Sequence, residues 1–305
     1  MQATTSGRRK GRSIIVAFLA PTVLLYLVLF AYPSVESLRL SLYDWKGLNP
    51  DNARFVGLDN FAEAVQDRWV AVSLRNMALI IVAGGALLFP LALLFAAALL
   101  NDRIKAKALF RTLIFFPYIL SGPGVGLLWT FILNPSFGAL NGVLRLVGLG
   151  AWAQPWLGQP ATALGAIIFV SIWWSLGFYM LYLVAGMQTI PTEILDAARV
   201  DGAHEGQLFF SITLPILRDF LAVAVVLWII EGLKTFAVVF LLTQGGPANQ
   251  THVLTTYMMR MAFQTGGAPV LRLGYGTSLA VILLFFVVLA ALLYFRLSRE
   301  EAIEY

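Results

Sequence analysis

Glu231 and Lys234 stand three residues apart inside an apolar run, 220–242, that carries no other charge. Ionisable groups at membrane depth are costly, and such a residue marks a functional position unless it is merely paired. A spacing of three puts both on one helix face, where they can meet. Either they neutralise each other and hold a helix bundle, with Lys234 snorkelling outward, or they face a cavity. In a cavity, Glu231 would accept hydrogen bonds from ligand hydroxyls and Lys234 would orient it or contact an anion. The neighbouring residues suit the second use. The run at 161–186 offers Ser171, Ser175, Trp173, Trp174, Phe178 and Tyr179, and Trp228, Gly232 and Thr235 surround Glu231. Hydroxyls with aromatic faces are what a carbohydrate ring takes, since its O–H edge needs polar partners and its C–H face an apolar one.

Other chemistry finds no residues to carry it. A nucleotide-binding P-loop needs Gly-Lys, and Lys10, Lys46, Lys105, Lys107 and Lys234 all lack a preceding glycine. There is no cysteine, His204 and His252 both fall outside the apolar runs, and Glu231 is the one membrane acid, so thiol or metal chemistry within the bilayer is not expected. No nucleophile and base come together in sequence. The expectation is a chain that is not an enzyme and binds no cofactor of its own.

Composition sets the scaffold. Hydrophobic residues make up 59% of 305, charged residues 12%, and the mean hydropathy is +0.81; soluble domains are about 45–50% apolar. Six runs, at 13–32, 76–100, 113–133, 161–186, 220–242 and 273–295, are each long enough for a core that needs about 20 residues. The expected fold is therefore an all-α integral membrane protein with six transmembrane helices. The first run follows Arg8, Arg9, Lys10 and Arg12 and ends in Tyr32-Pro33 without a small-residue cleavage site, so it reads as a retained span. Phe115-Phe116-Pro117 and Gly122-Pro123-Gly124 predict that the third helix is bent or locally unwound.

With the N-terminus inside, twelve Lys and Arg fall on the cytoplasmic side, among them Arg103, Lys105, Lys107, Arg111, Arg199, Arg218, Arg296 and Arg299. Eight fall outside, diluted by Glu36, Asp44, Asp51, Asp59, Glu63 and Asp67 in the first outer loop. The bias predicts both termini in the cytoplasm. A formal charge of +5 is then explained by an anionic membrane surface and calls for no nucleic acid.

Between the fourth and fifth runs lies a polar interruption, 187–218, too polar for hydrocarbon. Thr192 is expected to cap a short helix with Glu193 in its first turn. Gly202 would supply a sharp turn. A second short helix from about Ala203 would present Leu208, Phe209 and Ile212 along one side, and Leu214-Pro215 would stop it. This is the shape of a docking element on the cytoplasmic side.

The residues Asp196-Ala197-Ala198, Asp201-Gly202-Ala203 and Ile212-Thr213-Leu214-Pro215 resemble the EAA loop of ABC importer permeases, with Asp196 where that family usually has Glu. Further phrases resemble its carbohydrate-uptake, maltose-transporter-like branch: Gly57-Leu58-Asp59-Asn60-Phe61 in the outer loop, Asn134-Pro135-Ser136-Phe137-Gly138-Ala139-Leu140-Asn141, and Leu242-Thr243-Gln244-Gly245-Gly246-Pro247 followed by Tyr257 and Ala262-Phe263. The resemblance implies a type I importer permease, a binding-protein-dependent, multi-pass component of the bacterial cytoplasmic (inner) membrane. It implies as partners a homologous second permease in a heterodimer, two ATPase subunits holding ATP and Mg, an extracytoplasmic sugar-binding protein, membrane lipid and a carbohydrate substrate. Coupling to the ATPase would fall to Glu193, Asp196, Ala197, Ala198, Asp201, Gly202, Ala203, Leu208, Phe209, Leu214 and Pro215. The substrate pathway would involve Ser171, Trp174, Ser175, Phe178, Tyr179, Trp228, Glu231, Gly232, Lys234 and Thr235. The expected division is a basic N-terminus at 1–12, a permease domain at 13–296 with an outer loop at 34–75 and the coupling loop at 187–218, and a tail at 297–305. An ion-gradient-driven sugar or polyol carrier is the alternative, but a single membrane acid and no clear internal repeat disfavour it.

Overall fold

A computed structural model describes residues 17–47, 49, 52–101, 104–263 and 271–299. The basic segment 1–12, the first residues of the expected first span, Asp51, Arg103 and residues 300–305 of the expected tail lie outside these.

The first helix, α1 (Ala17–Leu40), contains a π turn at Leu27–Ala31 and runs past its expected end at Tyr32. Pro33 closely follows that π turn, and the wider turn accommodates a residue without an N–H. A two-stranded antiparallel ribbon follows, which the sequence did not predict. It pairs β1 (Tyr43–Asp44) with β2 (Arg54–Phe55), placing Tyr43 opposite Phe55 and Asp44 opposite Arg54. The helices α2 (Asp59–Gln66), α3 (Arg68–Leu100), α4 (Lys107–Ile119), α5 (Gly122–Ile132), α6 (Ala139–Leu146) and α7 (Pro160–Met187) come next. After them lie α8 (Thr192–Val200), α9 (Glu205–Ile216), α10 (Arg218–Leu233), α11 (Ala237–Thr243), α12 (Leu254–Phe263) and α13 (Leu273–Arg299).

Among the described residues, α1, α3, α7 and α13 are each long and apolar enough to cross a membrane. Two bent pairs, α4 with α5 at 100° and α9 with α10 at 66°, bring the number of spans to as many as six. The sharp bend in the third apolar run has a visible cause. Ser121 caps α5 by accepting from the Gly124 N–H (3.3 Å), and Pro123 sits in the first turn of that new helix. The Leu120 carbonyl freed at the corner accepts from the Trp174 indole at 3.1 Å, so a neighbouring helix satisfies the broken backbone.

The chain divides into two compact units. The first joins residues up to Gln66 with Met258–Ile282. In it, Asn60 is buried and donates to the carbonyls of Ser41 (2.9 Å) and Tyr43 (3.0 Å), which pins α2 beneath the ribbon. Arg272 closes the same unit with a two-pronged ion pair to Glu63, both contacts at 2.6 Å.

The second unit, Asp67–Tyr257 with Leu283–Tyr305, is built on α3 and α7, which pack along one another and receive α10. Their shared core contains Leu88, Ala92 and Ala96 from α3, Tyr179, Met180 and Leu183 from α7, and Ala224 and Trp228 from α10. Helix α3 starts at Arg68, ahead of the predicted Asn76. Asp67 caps it by accepting from the Trp69 N–H at 2.7 Å, and the Tyr257 hydroxyl fixes the other carboxylate oxygen at 2.6 Å. A helix of 33 residues is about 50 Å long, so it outreaches a hydrocarbon core of about 30 Å.

Asn76 is fully buried and donates to the Gln250 (2.7 Å) and His252 (2.9 Å) carbonyls, tying α3 to the loop that follows α11. Replacing it with Leu strands both carbonyls and should remove about 1–3 kcal/mol of stability. Thermal denaturation of the detergent-purified protein checks this: the variant should melt earlier, and an unchanged midpoint would contradict the pinning role.

The run at 220–242 is not one helix. Helix α10 ends at Leu233, and Phe236 leaves helical geometry (φ −140°, ψ −61°) before α11 begins. Gly232 and Thr235, both weak helix formers, sit at the break. The Thr235 carbonyl is taken by the Thr255 hydroxyl, so the interruption is supported from outside the helix. Lys234 therefore caps α10 and does not lie within a helix.

Candidate functional site

One cavity of about 470 Å³ opens in the second unit between α7, α10 and the break before α11. All ten residues expected along a substrate pathway line it: Ser171, Trp174, Ser175, Phe178 and Tyr179 from α7, then Trp228, Glu231, Gly232, Lys234 and Thr235. Trp173 points elsewhere, with its ring edge-to-face on Trp129 at 5.3 Å.

The acid is positioned by an aromatic hydroxyl. Tyr179 is 1% exposed and donates to Glu231 Oε2 at 3.1 Å. No ion pair joins Glu231 to Lys234 among the described residues. The physical reason is the helix end: Lys234 lies beyond the last helical turn, its N–H still bonded to the Ile230 carbonyl (3.1 Å) while its side chain is exposed. There the ammonium complements the negative end of α10. Glu231 is thus free of direct neutralisation, and Lys234 stands at the cavity rim.

Aromatic rings make one wall. Tyr118 stacks on Phe178 at 5.0 Å and 23° between planes, and Phe178 continues to Tyr182 at 6.4 Å and 20°. Tyr118, on α4, escaped sequence reasoning because the bend that brings it to α7 is a tertiary event. Ile80, Phe236 and Val238 also line the cavity unforeseen. Trp228 is chiefly a packing residue. Its indole donates to the Ile81 carbonyl at 2.8 Å, and it fills the notch left by Gly84 and Gly85 on α3. Gly232 likewise lets α10 approach α3, since a Cβ there would lie 2.4 Å from Ile81 Cγ1. Ser171 donates to the Ile167 carbonyl at 2.8 Å, so its oxygen remains an acceptor.

The polar interruption is two short helices around a glycine. Pro191 is the N-cap of α8, with no side-chain cap bond, so Thr192 is the first helical residue and not the cap; Glu193 does stand in the first turn. Gly202 has φ +86°, and the Gly202 and Ala203 N–H groups return to the Arg199 and Ala198 carbonyls, each at 3.0 Å. That pair of bonds is a Schellman ending, which requires the left-handed residue at Gly202. His204 then caps α9 by accepting from the Gln207 N–H, while the Gln207 side chain accepts from the His204 N–H.

Leu214-Pro215 does not stop the second helix. A π segment, Leu208–Thr213, precedes it, and the wider turn accommodates a residue without an N–H; the direction changes only after Leu217. Asp196 forms an ion pair with Arg199 at 2.8 Å and leaves its carboxylate largely exposed, as are Glu193, Ala197 and Asp201. Leu208 is 3% exposed and Phe209 packs on the chain's own core, so these two anchor the segment instead of presenting an outward face. Ala198, Ala203 and Leu214 are half-buried, and Pro215 is exposed. The apolar groups that do face outward are Ile194, Val200, Phe210 and Ile216, none of them foreseen from the sequence.

Three comparisons bear on this arrangement. Residues 89–301 match the family model described as binding-protein-dependent transport system inner membrane component. The chain is 34% identical to the probable ABC transporter permease protein YurN of Bacillus subtilis over 93% of its own length and 96% of the relative's. It is 32% identical to the diacetylchitobiose uptake system permease protein NgcF of Streptomyces coelicolor, over 93% and 82% respectively. In fold it is similar to a permease chain in a crystal structure of a bacterial ABC transporter involved in the import of the acidic polysaccharide alginate, with a TM-score of 0.77 over 94% of this chain, 96% of that one and 24% identity.

Proposed function

The chain belongs to the binding-protein-dependent transport system inner membrane components, and from that premise we propose that it is one of two permease subunits of an ATP-driven carbohydrate importer. It would form half of the pathway, opposite a homologous permease, with two ATPase subunits carrying ATP and Mg on the cytoplasmic face. An extracytoplasmic binding protein would deliver the sugar. Six spans with both termini in the cytoplasm fit the charge bias, with a short basic segment at 1–12, the permease domain at 13–296 and a tail at 297–305.

One observation carries the reading of cargo: the cavity combines an aromatic wall with a single carboxylate held by Tyr179 and not neutralised by a cation. Such a lining offers stacking to a sugar's C–H face and an acceptor to its hydroxyls. The relative named for diacetylchitobiose uptake agrees with a neutral oligosaccharide as cargo. Coupling would run through α8, the Gly202 turn and α9, whose exposed carboxylates and Val200 and Phe210 would meet the ATPase. The Leu208 and Phe209 anchors would pass its motion to the core beneath α7 and α10.

Glu231→Gln and Lys234→Met, measured for uptake of neutral and anionic sugars, test the cavity. Glu231→Gln keeps the shape and loses the charge, and a charged hydrogen bond is worth about 1.5–3 kcal/mol, so uptake of a neutral sugar should fall at least about tenfold. Lys234→Met should change little. Uptake untouched by Glu231→Gln would make the acid a packing residue.

A further inference from the structure

A second cavity, about 670 Å³, lies apart from the first, between α10 and the C-terminal half of α13. Its walls are apolar, with Leu221, Val225 and Ile229 facing Phe286 and Leu289, and among the described residues its only charged lining groups are Arg218 and Arg296. Arg218 opens α10 and Arg296 lies near the end of α13. Consecutive spans run in opposite directions, so both guanidiniums mark the same end of the groove. From Arg218 to Leu233 the groove can extend about 22 Å along α10, deeper than one leaflet's half of a ~30 Å hydrocarbon core.

We propose that this groove is a binding site for an anionic phospholipid, with one acyl chain along α10 and α13 and the phosphate between Arg218 and Arg296. Guanidinium groups bind phosphate in two-pronged fashion. Asp219 accepts from Arg218 Nε at 3.3 Å, which leaves the two Nη groups for a ligand. Among the described residues Arg218, Arg296 and Asp219 leave the mouth one net positive charge, the match for the single negative charge of phosphatidylglycerol. An apolar helix of a second permease is the other candidate occupant, but it brings no anion to this end. If it began with a basic segment like Arg8, Arg9, Lys10 and Arg12, it would place like charge there. The proposal rests on the helices crossing a bilayer and not on the cargo, so a chain that fails the uptake assay can still pass the lipid assay, and the reverse.

The test uses the full chain with its copurifying subunits in vesicles doped with phosphatidylglycerol or phosphatidylcholine, each with a diazirine in the acyl chain. Adducts mapped by mass spectrometry should concentrate on α10 and α13 with phosphatidylglycerol. R218Q/R296Q should lower them about thirtyfold, given roughly 1 kcal/mol for each of the two basic residues near an anionic lipid. Ala222→Phe should block the groove while sparing both arginines, and gives an independent reading if the double variant accumulates poorly. Equal labelling by the two lipids, or labelling unchanged in both variants, would overturn the proposal. So would an Ala222→Cys variant that cross-links to a second permease in the assembled complex.

Discussion

Gly202→Val should abolish coupled uptake while leaving the amount of assembled complex unchanged. A Cβ at this position meets nothing within 4 Å, so the substitution causes no clash. Its effect lies wholly in the backbone: φ is +86°, and a β-branched residue is a strong outlier there. An L-residue in the left-handed region costs about 1–2 kcal/mol. The segment can escape that cost by giving up the Schellman bonds from Gly202 and Ala203, which would redirect α9 relative to α8 and misplace Glu193, Asp196 and Val200. ATP hydrolysis by the partner subunits should then persist without transport. Gly202→Asn is the discriminating control, because Asn tolerates the left-handed region and should retain most uptake. Normal transport in the Val variant would remove the segment from the coupling role.

A substitution on α7 should be more destructive for the opposite reason. Gly177 faces α4, and a Cβ there would sit 2.4 Å from the Ile114 carbonyl oxygen and 2.5 Å from Phe115 Cα. Both are backbone atoms, so no rotamer change relieves the contact and the two helices must separate. Overpacking of this kind costs about 1–3 kcal/mol for one carbon and more for a large side chain. Gly177→Ala should lower the melting temperature clearly, and Gly177→Leu should prevent accumulation of folded protein. The same movement would lift Tyr118 away from Phe178 and open the aromatic wall. Gly165 on the same helix has nothing within 4 Å, so Gly165→Ala should be neutral. Size-exclusion profiles and melting curves of the three variants check this, and equal behaviour of Gly177→Ala and Gly165→Ala would contradict it.

The contrast between these glycines shows what a sequence can disclose. Gly202 was legible, because a glycine between two polar helical stretches announces a left-handed turn. Gly177 was not, because nothing in an apolar run says which residue faces a neighbour's backbone. The cavity residues divide the same way. Glu231 declared itself by its charge, and Ser171, Ser175, Phe178 and Tyr179 by type and spacing. Tyr118 required the corner at Leu120–Ser121, and the direct Glu231–Lys234 pair failed because a hydropathy run cannot show where a helix stops. Apolar faces misled in a second way: Leu208 and Phe209 read as a docking stripe, but a stripe can turn inward, and here the core took it. The antiparallel ribbon was missed because Tyr43–Asp44 and Arg54–Phe55 are too short to show an alternating pattern.

As an importer permease, this chain must be the membrane partner of an ATPase that responds to cargo outside. The most direct measurement is to purify the chain with its subunits, reconstitute it in vesicles, and follow ATP hydrolysis as sugar-loaded binding protein is added on the extracytoplasmic side. An ATPase should copurify, its rate should rise with the loaded binding protein, and sugar should accumulate inside. Purification without any ATPase, or sugar uptake that follows an imposed ion gradient and ignores ATP, would contradict it.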